Sequence, residues 1–194
     1  MTQVNLPGAQ LEPDFVAATR TWLERAVIGL NLCPFAREVH LRGGIRYYVS
    51  EADSGATLMR DLKAELRALA VAEPADCETT LLIHPRILVD FSDYNDFLLQ
   101  ADAAVAQLDL EGVIQVASFH PDYRFANTAV HDITNYTNRS PWPMLHLLRE
   151  ASVERAVRRH PDTTAIYRKN IATLENLGIE GWRRLWLDHE GASA

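Results

Sequence analysis

Two apolar runs in this sequence end in the same dipeptide, LLIHP at 81–85 and ASFHP at 117–121. An imidazole just past a strand end can ligate a metal or exchange a proton near neutral pH. Ligands of open parallel sheets bind beyond the carboxyl ends of the strands. If these two strands run parallel and adjacent, His84 and His120 emerge at one edge within reach of each other. Polar residues crowd around His120: Asp122 lies two positions on, followed by Tyr123, Arg124, His131 and Asp132. A carboxylate that close to an imidazole suits the pairing that orients a metal ligand or a base.

Further along, His146 and Glu150 are four residues apart on a segment that reads as a helix. That spacing puts both on one helix face, where they could hold a metal or pair with each other. Arg139 precedes a helix-start signal at Ser140 and Pro141. Its guanidinium fork and the open N–H groups of a helix terminus, with Asn138 beside them, would together suit a carboxylate or phosphate.

These residues support two functional expectations. The first is a metal-assisted enzyme at the C-terminal edge of the sheet, with His84, His120 and His146 as metal ligands. Asp122 or Glu150 would then be a ligand or general base, and Arg139 would bind a small anionic substrate. Zinc or iron fits such mixed imidazole and carboxylate donors, and hydrolysis would need an open metal position. The second is a metal-free domain in which the loop over 122–138 and Arg139 grip a small anionic ligand or a peptide. The aromatics Tyr123, Phe125, Tyr136 and Trp142 would supply contact area. Each residue also has a plainer reading: backbone bonding for the histidines, a helix-surface pair for His146 and Glu150, loop bracing for Arg139.

The elements that must position these residues are legible from periodicity. Phe15, Val16, Thr19, Trp22, Leu23, Val27 and Leu30 form the stripe of an amphipathic helix that ends over 31–34. Residues 45–50, β-branched and aromatic after a Gly-Gly pair, read as a strand. Ser54 caps a helix whose inward face is Leu58, Leu62, Leu66 and Leu69, and Pro74 closes it. Strands at 79–83 and 113–119 flank a helix over 92–108. That alternation predicts βαβαβ units, hence an α/β fold with a small, mainly parallel sheet and helices packed against it. The loop over 122–138 has no period. A helix is expected from Ser140 through Val157, and a last one over 163–177 closed by Gly178.

Composition bounds the rest. The chain has 194 residues, 47% hydrophobic and 23% charged, which fits one globular domain, here placed at 13–187 between flexible ends at 1–12 and 188–194. A net charge of −7 with no continuous basic stripe argues against nucleic acid. No apolar run approaches a membrane span, and no secretory signal is present, so a cytoplasmic protein is expected. Cys33 and Cys77 then read as free thiols. Cys33, in LNLCPFA, follows a helix and lacks CxxC spacing, which favours a buried small hydrophobe over redox chemistry. Neither GxGxxG nor GxxxxGKS/T occurs.

The phrases GLNLCPF, TTLLIHP, FSDYNDFL, EGVIQVASFHPDYRFA and DITNYTNRSPWPMLHLLREASVERA, which lie between Trp22 and about Asn170, carry a resemblance. By them the chain resembles an uncharacterised bacterial family, domain-of-unknown-function family 1415. The resemblance implies a stand-alone cytoplasmic domain with Cys33, His120, Asp122, Asn138, Arg139, His146 and Glu150 inside family phrases. It implies no reaction or cofactor.

Overall fold

The structure is a computed structural model that describes residues 14–159 and 163–186. The ends expected to be flexible, 1–12 and 188–194, lie outside the described residues.

Helix α1 (Phe15–Trp22) starts at Asp14, whose carboxylate accepts from Ala17 N at 2.8 Å, and runs on as a π-helical turn over Leu23–Ile28. Asn31 turns the chain at φ 54, and a short α2 (Ala36–Leu41) follows. Strand β1 (Ile45–Val49) leads to α3 (Gly55–Val71). The α3 N-terminus is a capping box in which Ser54 and Thr57 each satisfy the other's backbone N–H. Strand β2 (Thr79–Ile83) leads to α4 (Phe91–Gln107), capped by the Asp90 carboxylate. Strand β3 (Ile114–Phe119) precedes the long loop, which contains a single 3-10 turn (Ile133–Thr137). Then come β4 (Met144–Arg149), α5 (Glu150–Arg159) and α6 (Thr163–Arg184), the last broken at Gly178, where φ is 63.

The four strands form one mixed sheet in the order β1-β2-β4-β3. β1 and β2 are parallel, but β4 runs antiparallel to both neighbours. The expectation of a mainly parallel sheet is therefore corrected: two of the three pairings are antiparallel. The cause is β4, which separates the two crossover strands. The segment expected to continue a helix from Ser140 is this strand. Met144, Leu145 and Leu147 are all fully buried, because a central strand is covered on both faces and so reads as an unbroken apolar run. Such a run does not distinguish strand from helix by period.

The crossover helices α3 and α4 both pack on one face. There Leu58, Leu62, Leu66, Tyr94, Phe97 and Ala101 meet Leu82, Ile114, Leu145 and Leu147. Each fully buried leucine contributes about 1.5–3 kcal/mol. The other face carries Ile83, Met144 and Phe119 against Trp22, Leu23, Val27, Leu174 and Trp182 from α1, its π-helical extension and α6. Arg149, at the end of β4, donates to the carbonyls of Leu69 (2.7 Å), Ala72 (2.5 Å) and Cys77 (3.1 Å). A guanidinium there satisfies the open carbonyls at the end of α3 and complements its dipole. Among the described residues no helix is long and apolar enough to cross a membrane.

Candidate functional site

The strand-end histidines do come close, although β4 lies between their strands. β2 and β3 both run opposite to β4, so His84 and His120 leave the sheet at the same edge. Both rings rest against Tyr94 of α4, with centroids 5.8 and 5.0 Å away. The Tyr94 hydroxyl donates to Met144 O at 2.7 Å and accepts from Phe119 N at 3.0 Å, so it ties the end of β3 to the start of β4.

Hydrogen bonding fixes what each imidazole can do. Asp122 N–H points at His120 Nδ1 (3.0 Å), so that nitrogen is unprotonated. Nε2 therefore carries the proton and donates to Leu88 O at 3.1 Å. Both ring nitrogens of His120 are engaged. His84 Nδ1 donates to Ile87 O at 3.0 Å, while its Nε2 is buried without a partner. Burial, with His120 nearby, drives the pKa of His84 down to about 4, and burial lowers that of His120 as well. The two rings hold consecutive carbonyls of the β2–α4 loop, where Leu88 sits at φ 55. Asp122 itself is exposed.

His146 does not join them. It lies within β4, paired with Leu81 and Ala117, and points to the opposite sheet face. The helical pairing of His146 with Glu150 is corrected for the same reason: a strand ends between them, and Glu150 opens α5, its N–H bound to Val113 O at 2.9 Å. Thus His84, His120 and His146 do not converge. Among the described residues no three His, Cys, Asp or Glu side chains are grouped so as to hold a metal ion.

The loop of residues 122–138 is organised from within. Asn135, fully buried, accepts from Phe125 N and Thr128 Oγ1 and donates to Ala129 O. Arg139 donates to Tyr123 O (3.3 Å) and Val130 O (2.7 Å) and stacks on Tyr136 at 4.4 Å. Asn138 donates to Ser118 O at 3.0 Å. No helix begins at Ser140, whose hydroxyl instead donates to Trp142 O, so the helix-terminus anion site expected beside Arg139 is absent. Arg139 does border a concavity lined by Trp22, Tyr136, Trp182 and Trp186.

A second concavity is on the face where His146 lies. A cavity of about 480 Å³ opens between the sheet, the π-helical turn, α2 and α5. Leu81, Ala117, Phe119 and His146 belong to its floor, and Trp22, Val27, Val39 and Ala156 to its walls. At its border Arg155 reaches Glu78 at 2.9 Å, and Arg42 forms a second ion pair with the same carboxylate. Burial would raise the pKa of Glu78, but hydrogen bonds from Ser152 and Arg42 and the charges of Arg42 and Arg155 hold it below the usual value.

His146 is the polar centre of that floor. Its Nε2 is 2.7 Å from Thr79 Oγ1, which also lies 2.6 Å from Leu147 O. Burial drives its pKa down to about 4. Cys33 lines the cavity as a free thiol. Burial raises its pKa more than the nearby N–H groups of Phe35 and Ala36 lower it.

Sequence reasoning paired His146 with Glu150 on a helix and did not single out Thr79, Gln115, Arg42 or Glu78, while Arg155 reads from sequence as part of a solvated helix face. The available signal was a polar residue on the alternating positions of apolar strands, as in Thr79-x-Leu81 and Gln115-x-Ala117.

Comparison with curated proteins and with solved structures returns no match. A family model described as a protein of unknown function (DUF1415) matches residues 14–184, most of the chain. The phrases GLNLCPF, TTLLIHP and EGVIQVASFHPDYRFA, which supply Cys33, Thr79, Gln115 and Ala117 to the cavity, all lie inside that match, and the chain belongs to the DUF1415 family.

Proposed function

We propose that this protein binds a small molecule in the cavity between the sheet, the π-helical turn and α5. One observation carries the reading: a pocket of about 480 Å³ with largely apolar walls has, on its floor, an imidazole whose Nδ1 lacks a hydrogen-bond partner among the described residues. That combination, an apolar enclosure with few polar groups, is the usual form of a ligand site, and the volume lies within the common range of about 300–1,000 Å³.

A metal-assisted reaction at the strand ends draws less support. Both nitrogens of His120 are engaged by Leu88 and Asp122, and His146 faces the other side of the sheet. A ligand or peptide held by Arg139 keeps some support from the aromatic concavity beside it. The guanidinium there already donates to two carbonyls of its own loop, which favours a bracing role.

The two cysteines provide the test. Cys33 lines the cavity and Cys77 does not. Saturating indole should slow alkylation of Cys33 severalfold while leaving Cys77 unchanged, and Ala117→Phe, which places a ring over His146, should remove the protection. Equal Cys33 rates with and without indole would sink the proposal.

A further inference from the structure

We infer that the cavity selects an uncharged ligand, an apolar or aromatic body bearing one hydrogen-bond donor of the phenol type, with that donor seated on Nδ1 of His146. This rests on the cavity being a ligand site and adds the class of ligand.

The argument starts from one proton. Thr79 Oγ1 has a single hydrogen and two close neighbours, Leu147 O at 2.6 Å and His146 Nε2 at 2.7 Å. The carbonyl can only accept, so the hydroxyl hydrogen goes to it. The remaining lone pair of Oγ1 then faces Nε2, which must carry the imidazole proton. Nδ1 is left as a bare acceptor with no partner among the described residues. Thr79 thus sets the tautomer, and the tautomer sets what the floor asks of a ligand: a donor.

Charge on the ligand is disfavoured from both ends of the cavity. The buried imidazole stays neutral through the physiological range, so the floor offers a carboxylate no cation. At the border, Arg42 and Arg155 already share the Glu78 carboxylate. Arg149, which also borders the cavity, turns its guanidinium onto two carbonyls at the end of α3 and onto Cys77 O just before β2. An anionic ligand would have to compete with Glu78 for its partners. The aromatic lining favours a ring: Phe119 lies 6.0 Å from the His146 ring and 5.3 Å from Trp22, centroid to centroid.

Three probes of matched size test this by calorimetric or NMR titration: 4-ethylphenol, its methyl ether and 4-ethylbenzoate. The phenol should bind about three- to tenfold more tightly than the ether, the ratio expected of one hydrogen bond, and the benzoate most weakly. His146→Phe should abolish the preference for phenol while keeping ether binding. Thr79→Val, a gentler change, frees the tautomer and should shrink the preference with the imidazole still present. Equal binding of phenol and ether, or tightest binding of the benzoate, overturns the ligand class while the cavity reading survives, provided Ala117→Phe blocks the ether. If Ala117→Phe binds all three as the wild type does, or if none binds the wild type, the cavity reading itself has failed.

Discussion

On one face of the sheet the rings of His84 and His120 reach carbonyls of the loop that follows β2, and the Tyr94 hydroxyl locks the strand ends they leave from. On the opposite face His146 has one nitrogen on Thr79, no partner for the other among the described residues, and a place in the lining of a cavity. Burial pushes the pKa of all three imidazoles down. What separates them is unused hydrogen-bonding capacity beside open space. His84 retains a free Nε2, but it is sealed in the interior. His146 alone combines a free nitrogen with room for a partner. The lesson is that residue type and proximity nominate a site, whereas residual valence facing a void is what can act on a ligand.

Acid should produce the largest effect and act on both faces. A histidine whose folded pKa is depressed stabilises the fold fully above its unfolded value near 6.5, and that contribution is lost as pH falls toward the folded value. With His84 and His146 both driven to about 4, stability should drop by roughly 5 kcal/mol by about pH 4.5, read from urea melts at several pH values. His146→Leu should remove about 1.4 kcal/mol per pH unit from that slope. An unchanged slope would mean the cavity hydrates His146 enough for it to titrate normally.

Next comes the static contrast. His120→Ala leaves Leu88 O and Asp122 N without their partner and should cost about 3 kcal/mol. His146→Leu, which leaves Thr79 still bonded to Leu147, should cost under about 1 kcal/mol. Equal losses would erase the distinction between the faces. Arg139→Ala should lower stability by about 1–2 kcal/mol and speed proteolysis within residues 122–138, since it frees two loop carbonyls. A variant as stable as the parent would return Arg139 to ligand binding. The smallest effect is expected from chelation: EDTA should leave the melting temperature unchanged, and a fall would revive a metal at the strand ends.

Much of the fold was legible because local signals and burial agreed. Ser54 caps α3, Leu58 through Leu69 face inward, and β2 falls on the predicted residues. The β4 segment failed because both of its faces are covered, so neither a two-residue nor a helical period emerges from Met144 to Arg149. That failure carried into the site. Reading the segment as a helix paired His146 with Glu150 and placed an anion-binding terminus at Ser140, and neither survives once it is a strand. His84 and His120 were singled out by their position after strand ends, but their closeness was expected from adjacent strands, whereas β4 lies between the two and both rings rest against Tyr94. Their hydrogen bonds to Ile87 and Leu88 depend on the conformation of the intervening loop, which composition does not encode. The cavity depends on how α2 and α5 stand off the sheet, a tertiary property without a local signature.

The late strand β4 also governs how the chain reaches this state. Thr79 pairs with Leu148 and Ile114 with Arg149, so β2 and β3 meet no sheet neighbour in common until the chain has been made through Arg149. On the ribosome, everything before Met144 emerges with two apolar strands whose shared partner is still missing. Pairings so distant in sequence are slow to form, and exposed strand edges invite association with other chains. The centre of the sheet is completed last, and nascent chains stalled short of β4 should be the ones that aggregate.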